Sequence, residues 1–425
     1  AGLSIILTKF TCLSGDDFVL WSDADVTNYS YYTNHLQSNA TAKAGSEIWN
    51  ECYRRIFICN SAIDGLSTST SLSPSVKKQL LGEAYFMRAF FFHFLAGLYG
   101  ELPLAESTDA EVNRQLNRRP LNEVYSFIIA DLLKAQGYLS DKYIDGSIRP
   151  YQNAPERTRP TYWAAVALLS RVYLYEGDFL NAENAATQLI DNTELFTLAP
   201  LMEVFLKNSS EAIWQIQPVE IGWNTREANL FNLKKMPSGF SDDKPMYLSP
   251  FILQAFEPGD QRSVSGNWID NIILNDGIDT FWFPNKYHGD IDENITSPDL
   301  MTEYSMVLRL GEQYLIRAEA RIKQNNFEGA KSDLDMIRNR AGLLGTAAAT
   351  PEDLLTAIFQ ERRVELFSEW SHRWFDLGRS GVIDDIMSTV TPVKGGNWES
   401  TDKLYPIPYE DILRNRNLTQ NPGYN

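Results

Sequence analysis

The chain has 425 residues, of which 44% are hydrophobic and 22% charged, enough apolar material to bury a sizeable core. Its 38 Lys and Arg against 55 Asp and Glu leave a formal charge of −17. An acidic body repels phosphate backbones and other polyanions, which excludes nucleic acid as a partner and favours neutral ligands.

Cys12, Cys52 and Cys59 form neither a CxxC motif nor a zinc pattern. Cys52 and Cys59 fall on an expected helix and stand roughly 10 Å apart along its axis, too far for a disulfide. No apolar run approaches the ~20 residues of a membrane-spanning helix. The opening Ala1-Gly2-Leu3 has no Met, and no basic stretch precedes Leu3-Ser4-Ile5-Ile6-Leu7. The expectation is a mature or trimmed chain without its targeting segment.

In chain order, the first strongly periodic segment follows Ser73-Pro74, with apolar residues at Leu80, Ala84, Met87, Phe91, Phe94 and Leu98. Pro74 suits a first helical turn, and Gly100 with Pro103 ends the run. A second helical block spans 161–190, broken at Gly177-Asp178, and a third spans 306–340, broken at Asn325-Asn326. A fourth opens on Thr350-Pro351-Glu352 and runs to about Leu377. The second and third blocks look like copies: Asp178-Phe179 with Ala182 corresponds to Asn326-Phe327 with Ala330. A short turn, an aromatic and then a small residue where two helices touch is the signature of tetratricopeptide hairpins. Generic antiparallel helix pairs are the alternative, and both give stacked α-hairpins.

Between these blocks, residues 192–305 hold 8 of the 19 prolines and 4 of the 10 tryptophans, with poor periodicity. Ala212-Ile213-Trp214-Gln215-Ile216 alternates like a strand. So long an irregular insertion is functional or disordered, and its aromatic content argues against disorder. The expected organisation is a helical region 1–191, a loop-rich aromatic insertion 192–305 and a helical region 306–425 in one body. The fold class is mainly α, an α-α superhelix of tetratricopeptide-like hairpins.

No catalytic constellation stands out. His35, His93, His288 and His372 are dispersed without HExxH, and GxSxG, P-loop and GxGxxG motifs are missing. Asp290-Ile291-Asp292-Glu293-Asn294 begins like a calcium loop, but Ile295 replaces the required Gly and Met301 the bidentate Glu, so a solvated acidic loop is favoured. Glu361, Glu365 and Glu369 would share one helix face. A belt of ion pairs tying this helix to its neighbours is favoured there over an anion or metal site. Neither a metal nor a cofactor is expected.

Six aromatics lie in expected loops or beside Gly and Pro: Trp21, Trp223, Tyr247, Trp268, Trp282 and Tyr287. Sugar rings present apolar C–H faces that stack on aromatic planes, while their hydroxyls seek Asn, Asp and Arg. Asp16, Asp17, Asn224, Arg226 and Asn267 are near in sequence. The competing role is loop anchoring, since each aromatic buries 150–250 Å². Trp163, Trp370 and Trp374, on expected helices, read as core.

Four stretches resemble the SusD/RagB family of Bacteroidetes nutrient-binding lipoproteins. They are Gly82-Glu83-Ala84-Tyr85-Phe86-Met87-Arg88-Ala89-Phe90 running into Leu98–Leu104; Leu308-Arg309-Leu310-Gly311-Glu312-Gln313-Tyr314 on to Ala320; Glu361 to Arg379; and Leu404-Tyr405-Pro406-Ile407-Pro408 with Gln420-Asn421-Pro422-Gly423-Tyr424. Asp260-Gln261-Arg262 resembles a recurrent D-x-R element of the family. The resemblance implies a non-catalytic, lipid-anchored protein of the outer membrane that captures oligosaccharide and lids a SusC-like TonB-dependent transporter. A peptide- or glycopeptide-binding RagB-like protein and a protein-interaction scaffold without a small ligand are the alternatives. It places a ligand-stacking aromatic near Trp21 and a site-proximal loop at Trp282–Tyr287. The family's lipid-anchoring Cys and the start of its first helix have no counterpart here.

Overall fold

A computed structural model of the chain describes residues 2–41, 44–219, 224–274, 277–289 and 294–424. Among them are sixteen α-helices and three two-stranded antiparallel sheets, so the molecule is mainly helical. Three long helices, Glu47–Thr68, Pro74–Tyr99 and Leu121–Tyr138, pack in succession, and the hairpin Tyr162–Glu176 with Phe179–Ile190 follows. Helix Pro74–Tyr99 starts with Pro74 in its first turn and stops at Gly100, whose φ of 73° an L side chain resists. Its phenylalanines Phe86, Phe90, Phe92 and Phe94 are almost wholly buried and form the middle of the main core.

The two copied hairpins form as their sequences suggest. Asp178 caps helix Phe179–Ile190 by accepting from the Asn181 N–H, and Asn326 caps Phe327–Arg340 by accepting from the Gly329 N–H. Ala182 and Ala330 are fully buried, each where its helix approaches its partner. Helix Phe179–Ile190 also packs on Leu310–Lys323, which joins the two hairpins across the long insertion. Buried ion pairs tie this stack: Arg171 holds both carboxylate oxygens of Glu312 at 2.6 Å, and Arg317 holds those of Asp333 at 2.9 and 2.7 Å.

Two boundaries differ from the periodicity. The third block does not begin as helix: Ser305–Arg309 is a strand paired with Ala212–Ile216, and the helix starts at Leu310. Every residue of Ser305–Arg309 is buried, so the alternation that marks a half-exposed strand is missing. The fourth block is two helices, Pro351–Leu366 and His372–Ser380, separated by a turn in which Ser368, Trp370 and Ser371 all have positive φ. Trp370 therefore lies in a turn and not on a helix, although it is buried as expected.

Candidate functional site

Glu369 falls in that turn, beyond the helix carrying Glu361 and Glu365, yet all three converge on one buried cluster of cations. Arg262 pairs with Asp260, Glu361 and Glu365; Arg309 pairs with Glu211, Glu365 and Glu369; Arg340 pairs with Glu211 and Glu365. Lys286 reaches in from the insertion, donating to Glu369 and to the carbonyls of Glu365 and Phe367. These charges consume one another. Burial works to raise the Glu365 carboxyl, but Arg340 and Arg309 hold it well below its ordinary range. The cluster is an internal ion-pair network, with no open position for a substrate. Burial also keeps His93 and His372 neutral, pushing His93 down to about 3.

A group of aromatic rings that reaches the surface lies elsewhere. Strand Phe18–Leu20 pairs antiparallel with Met246–Leu248, with Val19 opposite Tyr247, and the Trp21 N–H continues the ladder to the Pro245 carbonyl at 2.8 Å. Trp21 lies two residues after Val19, so strand alternation sets it on the face carrying Tyr247. Phe240, from the loop before Met246–Leu248, stacks on Trp21 with centroids 4.9 Å apart and planes 8° from parallel. Phe281, from the hairpin Ile269–Leu274 with Asp279–Pro284, meets Phe240 and Tyr247 edge-on, each at 5.0 Å. Tyr32 lies against the same group: burial, and then the neighbouring Tyr247 hydroxyl, push its own hydroxyl up to about 12. Trp21 keeps 52% of its surface exposed, while Phe240, Tyr247 and Phe281 are half-buried beneath and beside it. The result is a rigid platform with one free indole face. Exposed carboxylates Asp23 and Asp242 each lie two residues from one of its stacked rings, Trp21 and Phe240.

Of the six aromatics expected to stack on ligand, Trp21 and Tyr247 come together. Trp268 and Tyr287 have no face to offer. Trp268 is 1% exposed, donates its indole N–H to the Leu201 carbonyl at 2.9 Å and packs on Phe205. The Tyr287 hydroxyl accepts the Met306 N–H at 2.9 Å, inside the body. Trp282 follows Phe281 on the same strand and so points to the opposite face, half-buried against the core. Trp223 lies outside the described residues, as does most of the acidic loop 290–294. No cluster of metal-binding side chains occurs among the described residues. Phe240 and Phe281 went unread because a phenylalanine carries no polar signal that separates platform from core.

The polar partners expected for sugar hydroxyls are mostly engaged. Asn224 accepts from the Thr302 N–H, and Asn267 donates to the Gln261 carbonyl. Asp16 and Asp17 are buried and serve the platform mechanically. Asp16 accepts from Arg373 at 2.8 and 2.7 Å and from Arg363 at 2.8 Å, while Asp17 accepts from Arg363 at 2.9 Å. Lys394 donates to the carbonyls of Leu13, Ser14 and Gly15, closing the end of helix Leu3–Ser14. The turn that launches the Trp21 strand is thus clamped by three distant cations.

Burial opposes the Asp16 charge, but Arg373 and Arg363 overcome it and hold the carboxyl well below the ordinary 3.8. A carboxyl with a depressed folded pKa stabilises fully above its unfolded value, and the contribution is lost as pH falls below it. Asp16→Asn should therefore lower the urea midpoint at neutral pH, and the gap from wild type should narrow as pH drops through 3.8. A gap that stays constant down to acid unfolding would mean that this carboxylate is not held by the clamp.

The whole chain superposes on solved SusD-type structures. A SusD superfamily protein from Parabacteroides distasonis matches with a TM-score of 0.78 at 21% identity over 98% of this chain and 93% of that one. A surface glycan-binding protein A from Bacteroides uniformis gives 0.78 at 22% identity over the same shares. A laminarin-binding SusD-like protein gives 0.76 at 23% identity over 98% and 94%. The fold is that of the SusD superfamily.

In sequence, a model described as SusD family matches residues 253–424, and one described as starch-binding, associating with outer membrane, matches 12–174. A SusD-like protein of Bacteroides ovatus is 26% identical over 82% of this chain and 68% of its own length. The starch-binding protein SusD of Bacteroides thetaiotaomicron is 33% identical over 28% of this chain and 21% of its own. The resemblance to the SusD/RagB family is borne out, the two models together matching most of the chain.

Proposed function

We propose that this protein captures oligosaccharide at the outer membrane surface without catalysis and passes it to a SusC-like TonB-dependent transporter, held to the membrane by an N-terminal lipid anchor. The observation that carries the reading is the Trp21 platform: a half-exposed indole, stacked on Phe240 and mounted on paired strands. A flat ring on rigid backbone is what stacking on a sugar face requires, since little ordering entropy remains to be lost on binding. The acidic body favours a neutral glycan over a sulfated one. Resemblance to a family whose relatives include a starch-binding and a laminarin-binding protein supports the same ligand class. The ionisable clusters found among the described residues are closed ion pairs, which supports binding without turnover.

The test is calorimetric titration with starch- and laminarin-derived oligosaccharides beside thermal melts. Ring stacking on nucleobases is worth about 1–3 kcal/mol per ring, which sets the scale for sugars. Trp21→Ala should weaken the binding of whichever glycan the wild type takes by roughly 5- to 150-fold, with little change in melting temperature. Normal binding by Trp21→Ala would remove the platform from the reading.

A further inference from the structure

A well-formed cavity of about 340 Å³ lies away from the platform and shares no lining residue with it. It sits between helix Glu47–Thr68, the segment 103–116 and the C-terminal helix Tyr409–Arg414. Three rings of the first helix, Trp49, Tyr53 and Phe57, form one side, and Leu116 and Leu418 face them. The polar ends of two of these rings are already taken. The Trp49 indole N–H donates to Asp411 at 2.7 Å, and the Tyr53 hydroxyl donates to the Pro103 carbonyl at 2.9 Å. The rings therefore turn apolar surface toward the cavity, and Phe57 is 50% exposed there.

The walls are cross-tied. Asn60 donates to the Ala105 carbonyl at 2.8 Å, Asn113 to the Ser107 carbonyl at 2.8 Å, and Asn415 to the Leu116 carbonyl at 2.9 Å. Each bond links the loop segment to itself or to a flanking helix, so the shape exists before any ligand arrives. The cations at the mouth are matched, Arg114 with Glu111 and Arg414 with Glu410. The volume falls at the small end of ordinary ligand pockets, whose pattern is mostly apolar walls with a few fixed polar groups.

We propose that this cavity is a second ligand site, which takes a small neutral glycoside with a flat apolar face. That face lies against Phe57 and Tyr53, and the hydroxyl edge meets Ser107, Thr108 and the amides of the rim. The two arginines at the mouth are already paired with carboxylates, which disfavours an anionic ligand. Flat aromatic walls with amide neighbours fit a ring better than an extended aliphatic chain. The inference stands independently of the platform's role.

The probe is p-nitrophenyl glucoside, followed by saturation-transfer NMR and by soaking into crystals of the full chain. Ala110 is exposed and lines the cavity, so Ala110→Trp fills the space without touching the core. The expected result is a saturation-transfer signal in wild type and in Trp21→Ala, lost in Ala110→Trp and weakened about 5-fold or more in Phe57→Ala, with all four proteins melting alike. Absence of binding at millimolar probe would overturn the proposal. So would binding that survives Ala110→Trp but disappears in Trp21→Ala, which would assign the probe to the platform and leave that reading intact.

Discussion

Arg309→Met should destabilise the protein by about 3–5 kcal/mol, a large share of the 5–15 kcal/mol that holds most domains folded. Arg309 is 2% exposed and makes five hydrogen bonds, to Glu369 twice at 2.9 Å, to Glu211 at 2.9 Å, to Glu365 at 2.6 Å and to the Glu365 carbonyl at 2.9 Å. Its removal leaves three buried carboxylates sharing Arg262, Arg340 and Lys286. The loss is the cost of stripping partners from buried charge, not the net worth of the network, since a fully apolar replacement could be close to neutral. The control is Arg414→Met, whose pair with Glu410 is exposed on both sides and should leave the unfolding curve unchanged. Guanidinium unfolding followed by circular dichroism measures both. Equal midpoints for Arg309→Met and wild type would mean that the network is ornamental to stability.

The helical stack was readable because its signals are local. Pro74, Gly100 and Gly177 act through their own dihedrals, and Asp178 and Asn326 cap helices within three residues of themselves. The strand Ser305–Arg309 was not readable, because burial on both faces erases the two-residue alternation and the apolar run continues into a helix. The turn at 367–371 was also hidden. Three non-glycine residues hold positive φ there, and contacts distant in sequence stabilise them, among them the Trp370 indole N–H to the Met306 carbonyl.

The site divides the same way. Trp21 was legible as a loop aromatic near Asp16 and Asp17, at a position where the family resemblance implies a stacking ring, and Tyr247 as a loop aromatic beside Pro245 and Pro250. Their meeting depends on the pairing of 18–20 with 246–248, more than two hundred residues apart. Asp16 and Asp17 looked like sugar ligands because adjacent carboxylates near an exposed Trp suit hydroxyls. Only the fold reveals that Arg363 and Arg373 reach them first.

Trp268→Ala should cost roughly 3–5 kcal/mol of folding stability and leave glycan affinity nearly unchanged, the reverse of Trp21→Ala. Gly266 and Asn267 beside it suggest an exposed loop ring, but in the fold it roofs the cation cluster. The Lys286 ammonium lies 4.7 Å from its centroid, and the Arg340 and Arg309 guanidiniums at 5.4 and 5.9 Å. An indole face attracts cations by its quadrupole, and more strongly when water is excluded, so the ring contributes both packing and charge compensation. Burial works against the Lys286 charge, pulling its ammonium down to about 8, and Glu369 opposes that pull. Truncation to Ala would open a cavity over the network and admit water to it. Trp268→Phe keeps most of the volume and a weaker quadrupole, and loses the bond to Leu201, so it should fall between Ala and wild type. Thermal melts of Trp268→Ala, Trp268→Phe and Trp21→Ala, each paired with a glycan titration, separate the two kinds of tryptophan. A Trp268→Ala protein that melts like wild type but binds glycan weakly would place this ring in the ligand site and take it out of the core.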